Sequence, residues 1–429
     1  MNGGGGGVGG GGDGSEPLAF WVPGRIEVLG KHTDYGGGRS LLCAVERGIC
    51  VLARAQEEPA TMRPAASLVR IRDATAGDTA WLELSPNAAS ARGHWSNYPI
   101  TVARRIAMNF SGSLRGADIV FASDLPPAAG VSSSSALVVA VFLALSVVND
   151  LPGRAEYRNN IQSLEDLAGY LGAVENGLDF KSLPGTAGVG TFGGSEDHTA
   201  ILCARPGSLV QYSFCPVIFE RAIALPVGYR FVIATSGVLA EKTGAALSDY
   251  NRVSRRLSAG LECWRRATGR ADVSMAAAVA SSGDARHRMR GVLGGVSDAE
   301  YSPASLLARF DQFDAETNDI IPAAAAALAR NDLGEFGALV SRSQAGAERG
   351  LNNQIPQTIA LVQQARELGA VAASAFGAGF GGSVWALVES RRVDAFRHAW
   401  ERAYGAAFPE SASSAQLFVT GAGPAATPL

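Results

Sequence analysis

The stretch Pro23–Gly38, PGRIEVLGKHTDYGGG, constrains the fold of this chain more than any other, because it sets Arg25, Lys31, His32, Asp34 and Tyr35 among five glycines. Glycine loses more backbone freedom on ordering than any other residue, so the part from Gly30 onward reads as a tight loop, not a helix or strand. The apolar residues before it, LAFWVPGRIEVLG, lead into that loop as an extended segment. Such a chain has to place a polar loop at the end of an apolar element, where a cation and a carboxylate can meet on one small polar molecule.

The remaining sequence mixes both kinds of periodicity. SLLCAVERGICVLARA has the β-rich texture of paired strands, and LVRIRDA and AWLELS extend that sheet. YPITVARRIAMNF has helical spacing, GADIVFASDLP reads as a strand, and PPAAGVSSSSALVVAVFLALSVVND as a turn feeding a long helix. Ser163–Leu178 is again helical, TAILCARPGSLVQYSF reads as a hairpin and GYRFVIATSG as a buried strand. From about Thr243 the texture turns to long Ala-rich helical stretches, before SAFGAGFGGSVWALVES, an amphipathic helix around VDAFRHAWERAYG and a last strand at AQLFVTGAG. At 429 residues with 47% apolar content, the chain is long enough for two or three domains. The expected fold is α+β, with a Gly-rich tail at 1–16, a mixed-sheet domain at 17–225 and a helix-covered antiparallel sheet domain at 226–429.

Several function classes are disfavoured. A net charge of −3 gives no basic field for nucleic acid or an anionic membrane. The most apolar segment, Ala136–Val148, is shorter than the roughly 18 residues that span a bilayer, so a core helix is expected. Five scattered cysteines without C-x-x-C spacing suggest buried free thiols in a reducing cytoplasm, and the five histidines lack metal-ligand spacing. Gly24–Lys31 is no P-loop, since five residues separate its glycines and His32 follows the lysine. Gly377–Gly382 satisfies G-x-G-x-x-G, but a strand-like SVWALVE follows in place of a helix. A small-molecule partner is the expectation left standing.

Pro126–Ala136 has the parts of a phosphate site: a turn, Gly130 for close approach, a hydroxyl cluster and an apolar helix whose N-terminus presents free N–H groups. A serine-rich helix cap is the plainer reading. Together with Pro23–Gly38 and the glycine-rich Ser374–Val388, this segment resembles the three ordered signatures of the GHMP kinase superfamily, in its galactokinase branch. The resemblance runs through nearly the whole chain. It implies a two-domain fold with the site in the cleft between the domains, and an ATP- and Mg²⁺-dependent sugar 1-kinase. By the same resemblance, the backbone of Gly130, Val131, Ser132, Ser133 and Ser134 cradles the ATP phosphates, and the Ser134 hydroxyl faces Mg²⁺. Glu175, in AVENGL, is the second metal ligand. Gly377, Gly379, Gly381 and Gly382 pack the third motif against the site. Ala128 and Ser135 depart from the second signature, and Ser383 stands where galactokinases commonly have cysteine.

Phosphoryl transfer needs positioning, a cation and donors for developing charge. Asp197, in Gly194-Ser-Glu-Asp-His198, sits where the family has its catalytic aspartate, although Glu196 and His198 depart from the motif and KSLPGTAGVG is an apparent insertion. Asp179 is the competing base. Arg25 would hold that base ionised and stabilise the transferring phosphoryl group. Asp34 would accept hydrogen bonds from sugar hydroxyls, His32 would orient the loop, and Tyr250 would face the sugar. Lys31 replaces a glutamate that in galactokinases partners the 6-hydroxyl. It leaves two substrates open, galactose and a uronic acid such as galacturonate, whose carboxylate would pair with the ammonium. A galactokinase-like sensor that binds sugar and ATP without turnover is the alternative of a different class.

Overall fold

The computed structural model describes residues 17–56, 67–91, 93–126, 129–238, 247–297 and 300–429; the expected tail and Ala128 lie outside them. Two sheets organise the described residues. The first contains β1 (Leu18–Leu29), β2 (Arg39–Ala55), β3 (Leu68–Asp73), β4 (Thr79–Glu83), β5 (Ala117–Ser123), β6 (Ser208–Ser213) and β7 (Ile218–Ala224). The second contains β8 (Tyr229–Thr235), β9 (Ala372–Phe376), β10 (Ser383–Glu389) and β11 (Leu417–Thr420), and β12 (Thr427–Pro428) closes the chain.

SLLCAVERGICVLARA is not a pair of strands. It lies within β2, a single 17-residue strand whose early residues pair with β6 and whose later residues pair with β5, while β1 runs antiparallel beside most of its length. One strand can thus serve two neighbours on the same edge, and the first sheet follows the order β12-β1-β2-β5-β3-β4 with β6 and β7 branching from β2. Only β3 and β5 pair in parallel among its described strands. The second sheet is antiparallel throughout, in the order β11-β8-β10-β9.

TAILC is helical, not the first arm of a hairpin. It belongs to the helix Glu196–Cys203, and the hairpin is β6–β7. Ala200, Ile201 and Leu202 are all buried, and a short apolar run buried on every side carries no alternation to separate helix from strand. Asp197 in the first turn suits the positive end of the helix.

The helix Ser133–Val148 packs on β1 and β2 and buries Ala136 through Phe142, as expected of a core helix. No helix of the described residues is long and apolar enough to cross a membrane. The first sheet ends at Ala224 and the second begins at Tyr229, yet the core is shared: Ile321, Ala324 and Phe336 pack in one cluster with Val28, Leu42 and Val210. The last residues return to the first sheet, where Phe20 pairs with Pro428 and the Leu429 N–H donates to the Ala19 carbonyl at 3.0 Å. That return covers the outer edge of β1, whose backbone groups would otherwise be unpaired. The five cysteines are free; Cys43, Cys203 and Cys263 are buried, whereas Cys50 and Cys215 are exposed, against the expectation for all five.

Candidate active site

Three glycine-rich segments converge because two glycines let backbone approach backbone. A Cβ at Gly24 would stand 2.8 Å from the Val131 carbonyl oxygen and 2.7 Å from Leu125, so only glycine lets the loop before the helix Ser133–Val148 lie on β1. There the Arg25 N–H donates to the Val131 carbonyl at 3.2 Å, and the Arg25 guanidinium reaches the Gly130 carbonyl. From the C-terminal side, Ser383 Oγ donates to the Ala129 carbonyl, and Gly377 lies against Gly130 and Arg25. The Gly377–Gly382 turn therefore closes over both earlier motifs.

At the floor of this junction Arg25 Nε donates to Asp197 Oδ1 at 2.7 Å, with Nη2 2.6 Å from the same oxygen. Ser135 Oγ lies 2.9 Å from Glu175 Oε2 and 3.3 Å from Asp197 Oδ2, joining the two carboxylates. Glu175 is in the last turn of the helix Leu164–Asn176, which positions it opposite the N-terminus of Ser133–Val148. His198 Nε2 is 3.2 Å from Glu175 Oε2, close enough for a charge interaction when the ring is protonated but without hydrogen-bond alignment. Asp179 is not part of this group. It is exposed and accepts from the Gly185 N–H at 2.6 Å, a loop-closing role; of the two aspartates considered as base, Asp197 lines the cleft and Asp179 does not.

The hydroxyl that meets the carboxylates belongs to Ser135, not to Ser134, which is half-buried at the helix start beside Ser133. Ser132 has φ +60° at the N-cap position and makes no side-chain cap; its Oγ is buried without a hydrogen-bond partner. No acidic residue occupies that first turn. An uncapped helix N-terminus with a buried, unsatisfied hydroxyl suits an anion.

The sugar-facing residues expected from the sequence are brought together from far-apart elements. His32 Nε2 donates to the Ala378 carbonyl at 3.0 Å and its ring lies against Tyr250, with centroids 5.6 Å apart. The carbonyl can only accept, which fixes the proton on Nε2 and leaves Nδ1 to accept from Tyr35 Oη at 3.2 Å. Asp34 Oδ2 accepts the Glu196 N–H at 3.1 Å, and a Cβ at Gly194 would sit 2.2 Å from that oxygen, so glycine is required for Asp34 to cap the Glu196 helix. Arg25, Glu27, His32, Asp34, Glu175, Glu196, Asp197 and Tyr250 all line one cleft.

Lys31 does not line it. Its side chain is buried in the opposite direction, donating to Ser343 Oγ at 3.3 Å, and Ser343 in turn donates to Glu316 Oε1 at 2.8 Å. The same Glu316 oxygen accepts the Gly30 N–H at 2.9 Å, so a carboxylate from the C-terminal half holds both the loop backbone and, through Ser343, the lysine. The expectation that Lys31 meets a C6 substituent is corrected by this geometry.

Carboxylates outnumber cations around the cleft, and the charges are redistributed accordingly. Burial pushes the Glu27 carboxyl up to about 7, against the pull of Lys31 and Arg25. Glu196 is raised well above the usual range, first by burial and then by Glu27 and Asp34. Burial alone would weaken the hold of Arg25 on its proton, but Asp197, Glu196 and Glu27 outweigh it and keep the guanidinium charged. Two acids are thereby biased toward their neutral forms beside a fixed cation.

Sequence reasoning missed the residues that hold the loop from outside. Arg309 Nη2 donates to the His32 carbonyl at 2.5 Å and to Tyr35 Oη at 3.1 Å, and Gln312 Nε2 donates to the Lys31 carbonyl at 3.2 Å, both from the helix Pro303–Asp314. Nothing in their local sequence marks them. Glu27 was also missed, although a lone acid inside the apolar run RIEVL was a visible signal.

Comparison with known proteins agrees with this geometry. Residues 13–55 match the galactokinase galactose-binding signature, 97–179 the GHMP kinases N terminal domain and 324–407 the GHMP kinases C terminal domain. The galactokinase of Roseiflexus sp. is 30% identical over 386 residues, 89% of this chain and 86% of that protein. That of Chloroflexus aggregans is 28% identical over 379 residues, 87% and 85% of the two chains. Among solved structures, Lactococcus lactis galactokinase complexed with galactose superposes with a TM-score of 0.76 at 22% identity, covering 97% of this chain and 96% of that one. L. major mevalonate kinase in complex with R-mevalonate gives 0.54 at 16%, with 94% and 96% covered. Signatures in order, full-length relatives and a shared two-domain fold lead to one conclusion: the chain belongs to the galactokinase branch of the GHMP kinases and is a sugar kinase.

Proposed function

We propose that the protein transfers the terminal phosphoryl group of ATP to the anomeric hydroxyl of a neutral hexose, galactose being the first candidate. The observation that carries this reading is the cluster in which Arg25 pairs with Asp197 while Ser135 links Asp197 to Glu175, beside an uncapped helix N-terminus. Units at 17–225 and 226–429 supply the two walls of the cleft. Asp197 orients the attacking hydroxyl and accepts its proton. Arg25 keeps Asp197 ionised and stabilises charge on the transferring group, a fixed donor in a partly desolvated site. The N–H groups of Ser132, Ser133 and Ser134, with the Ser132 hydroxyl, receive the phosphates. Glu175 and the hydroxyl of Ser135 would hold a Mg²⁺ ion, which takes one or two protein carboxylates plus substrate phosphates and would supply neutralisation of the triphosphate charge. His32, Asp34 and Tyr250 hold the sugar.

A carboxylate-rich lining favours a sugar without a negative charge of its own. The test is ADP release with MgATP over a panel of hexoses and uronates, followed by phosphorus–proton coupling in the product. Turnover of galactose with the phosphate on C1 is expected. Failure of every hexose, or phosphate on C6, would overturn the reading.

A further inference from the structure

The acid at position 27 is not explained by the roles described so far. Arg25 and Glu27 are two residues apart on a regular part of β1, where Arg25, Ile26 and Glu27 pair consecutively with Ala44, Cys43 and Leu42. Residues two apart on a strand face the same side, here separated by about 6.6 Å. Both side chains line the cleft. Glu27 is 2% exposed; its Oε2 accepts the Gly377 N–H at 3.2 Å, and its Oε1 is buried with no hydrogen-bond partner. A buried, unsatisfied carboxylate oxygen is costly, and a wall of a binding cleft is where such an oxygen can be satisfied by a ligand.

We propose that Glu27 is a specificity-determining residue that accepts a hydrogen bond from a hydroxyl on the far side of the sugar ring, at C4 or C6, while Lys31 serves as its internal counter-cation. The inference rests on the hexose kinase reading above. Arg25 and Asp197 fix the reacting end of the sugar, and one strand repeat beyond Arg25 is about the distance across a pyranose ring to its distal hydroxyls. Lys31 is turned inward, its ammonium on Ser343, and its charge opposes the effect of burial on Glu27. Arg25 acts on Glu27 in the same sense, and Glu316 in the opposite one. The unusual acid–base pair at positions 27 and 31 is then one device: a carboxylate for the substrate and a buried cation that keeps it available. A distal hydroxyl donates to it readily, whereas a uronate carboxylate cannot.

The test crosses Glu27→Ala and Glu27→Gln with galactose and its 2-deoxy, 4-deoxy and 6-deoxy forms. The readouts are KM, kcat and calorimetric sugar affinity in the presence of a non-hydrolysable ATP analogue. Glu27→Gln retains an acceptor for the Gly377 N–H, so it separates the sugar contact from support of the turn. Loss of a buried hydrogen bond to the Glu27 carboxyl, which leaves the sugar hydroxyl unpaired, should raise the KM for galactose about 10- to 100-fold in Glu27→Ala, with a smaller change in kcat. That penalty should vanish with either the 4-deoxy or the 6-deoxy sugar, and persist with the 2-deoxy sugar. An equal penalty on all four sugars, or none on any, would show that Glu27 only supports the turn and would overturn the inference. A wild type that binds none of the sugars would instead overturn the hexose reading itself.

Discussion

Arg25 and Asp197 show how much of a site can rest on one ion pair. The guanidinium is buried, and the carboxylate is 15% exposed, so the pair joins a fixed charge to a carboxylate that a small molecule in the cleft can reach. Asp197→Ala and Arg25→Ala should each lower kcat by about 10²- to 10⁴-fold, the range for loss of a positioned base or of a charge-stabilising donor. Steady-state assays that find near-normal turnover in Asp197→Ala would move the base elsewhere. Glu27 makes a second prediction through pH. Its carboxyl titrates at about 7 in the fold against an unperturbed 4.5, so the native state holds this proton more tightly than the unfolded chain. That preference favours the fold below about pH 4.5 and is lost as the pH rises to 7. Urea unfolding of wild type and Glu27→Gln between pH 5 and 8 should therefore shift in favour of the variant as pH rises, by on the order of 3 kcal/mol at most. A pH-independent difference would contradict the burial of a titrating acid here.

Among elements, the loop Gly30–Gly38 depends on helices that come much later in the chain. Arg309 and Gln312 bond its carbonyls, Glu316 bonds its Gly30 N–H, and Ser343 receives Lys31. Lys31→Glu would place a third carboxylate near Glu27 and Glu316 in the interior, where a broken buried charge pairing costs about 3–5 kcal/mol. The variant should be destabilised in urea by that amount, and any shift in the galactose-to-galacturonate ratio of kcat/KM should accompany that loss of stability, since Glu27 loses its counter-cation. An altered ratio at unchanged stability would put Lys31 back in the sugar pocket. The Glu196 helix makes the complementary point. Its N-terminus is capped by Asp34 from 162 residues away, a pairing permitted by the missing side chain at Gly194.

At the scale of the whole molecule, the cleft is lined by residues from Arg25 to Ala378, so it exists only when both halves are folded and docked. Ligands that bind only the native state stabilise it by mass action, about 2.7 kcal/mol at a hundred times Kd. MgATP and galactose should each raise Tm by a few degrees; calorimetry that finds no shift with either, at concentrations far above the expected Kd, would show that neither binds and would overturn the sugar-kinase reading. The sequence by itself determined the mixed α+β class, the three glycine-rich segments and the residue types on them, since backbone freedom and local patterning are properties of short stretches. It also carried Arg25, Asp34, Glu175 and Asp197 as candidates, each embedded in a recognisable local pattern. Tertiary structure decided the rest. Whether TAILC became helix or strand depended on burial from every side, and the length of β2 depended on two different neighbours. Lys31 faced inward because Ser343 and Glu316 waited there, and Ser135, not Ser134, joined the two carboxylates because of where a distant helix placed Glu175. Side-chain direction in a buried site is set by partners hundreds of residues away, and no local pattern carries that information.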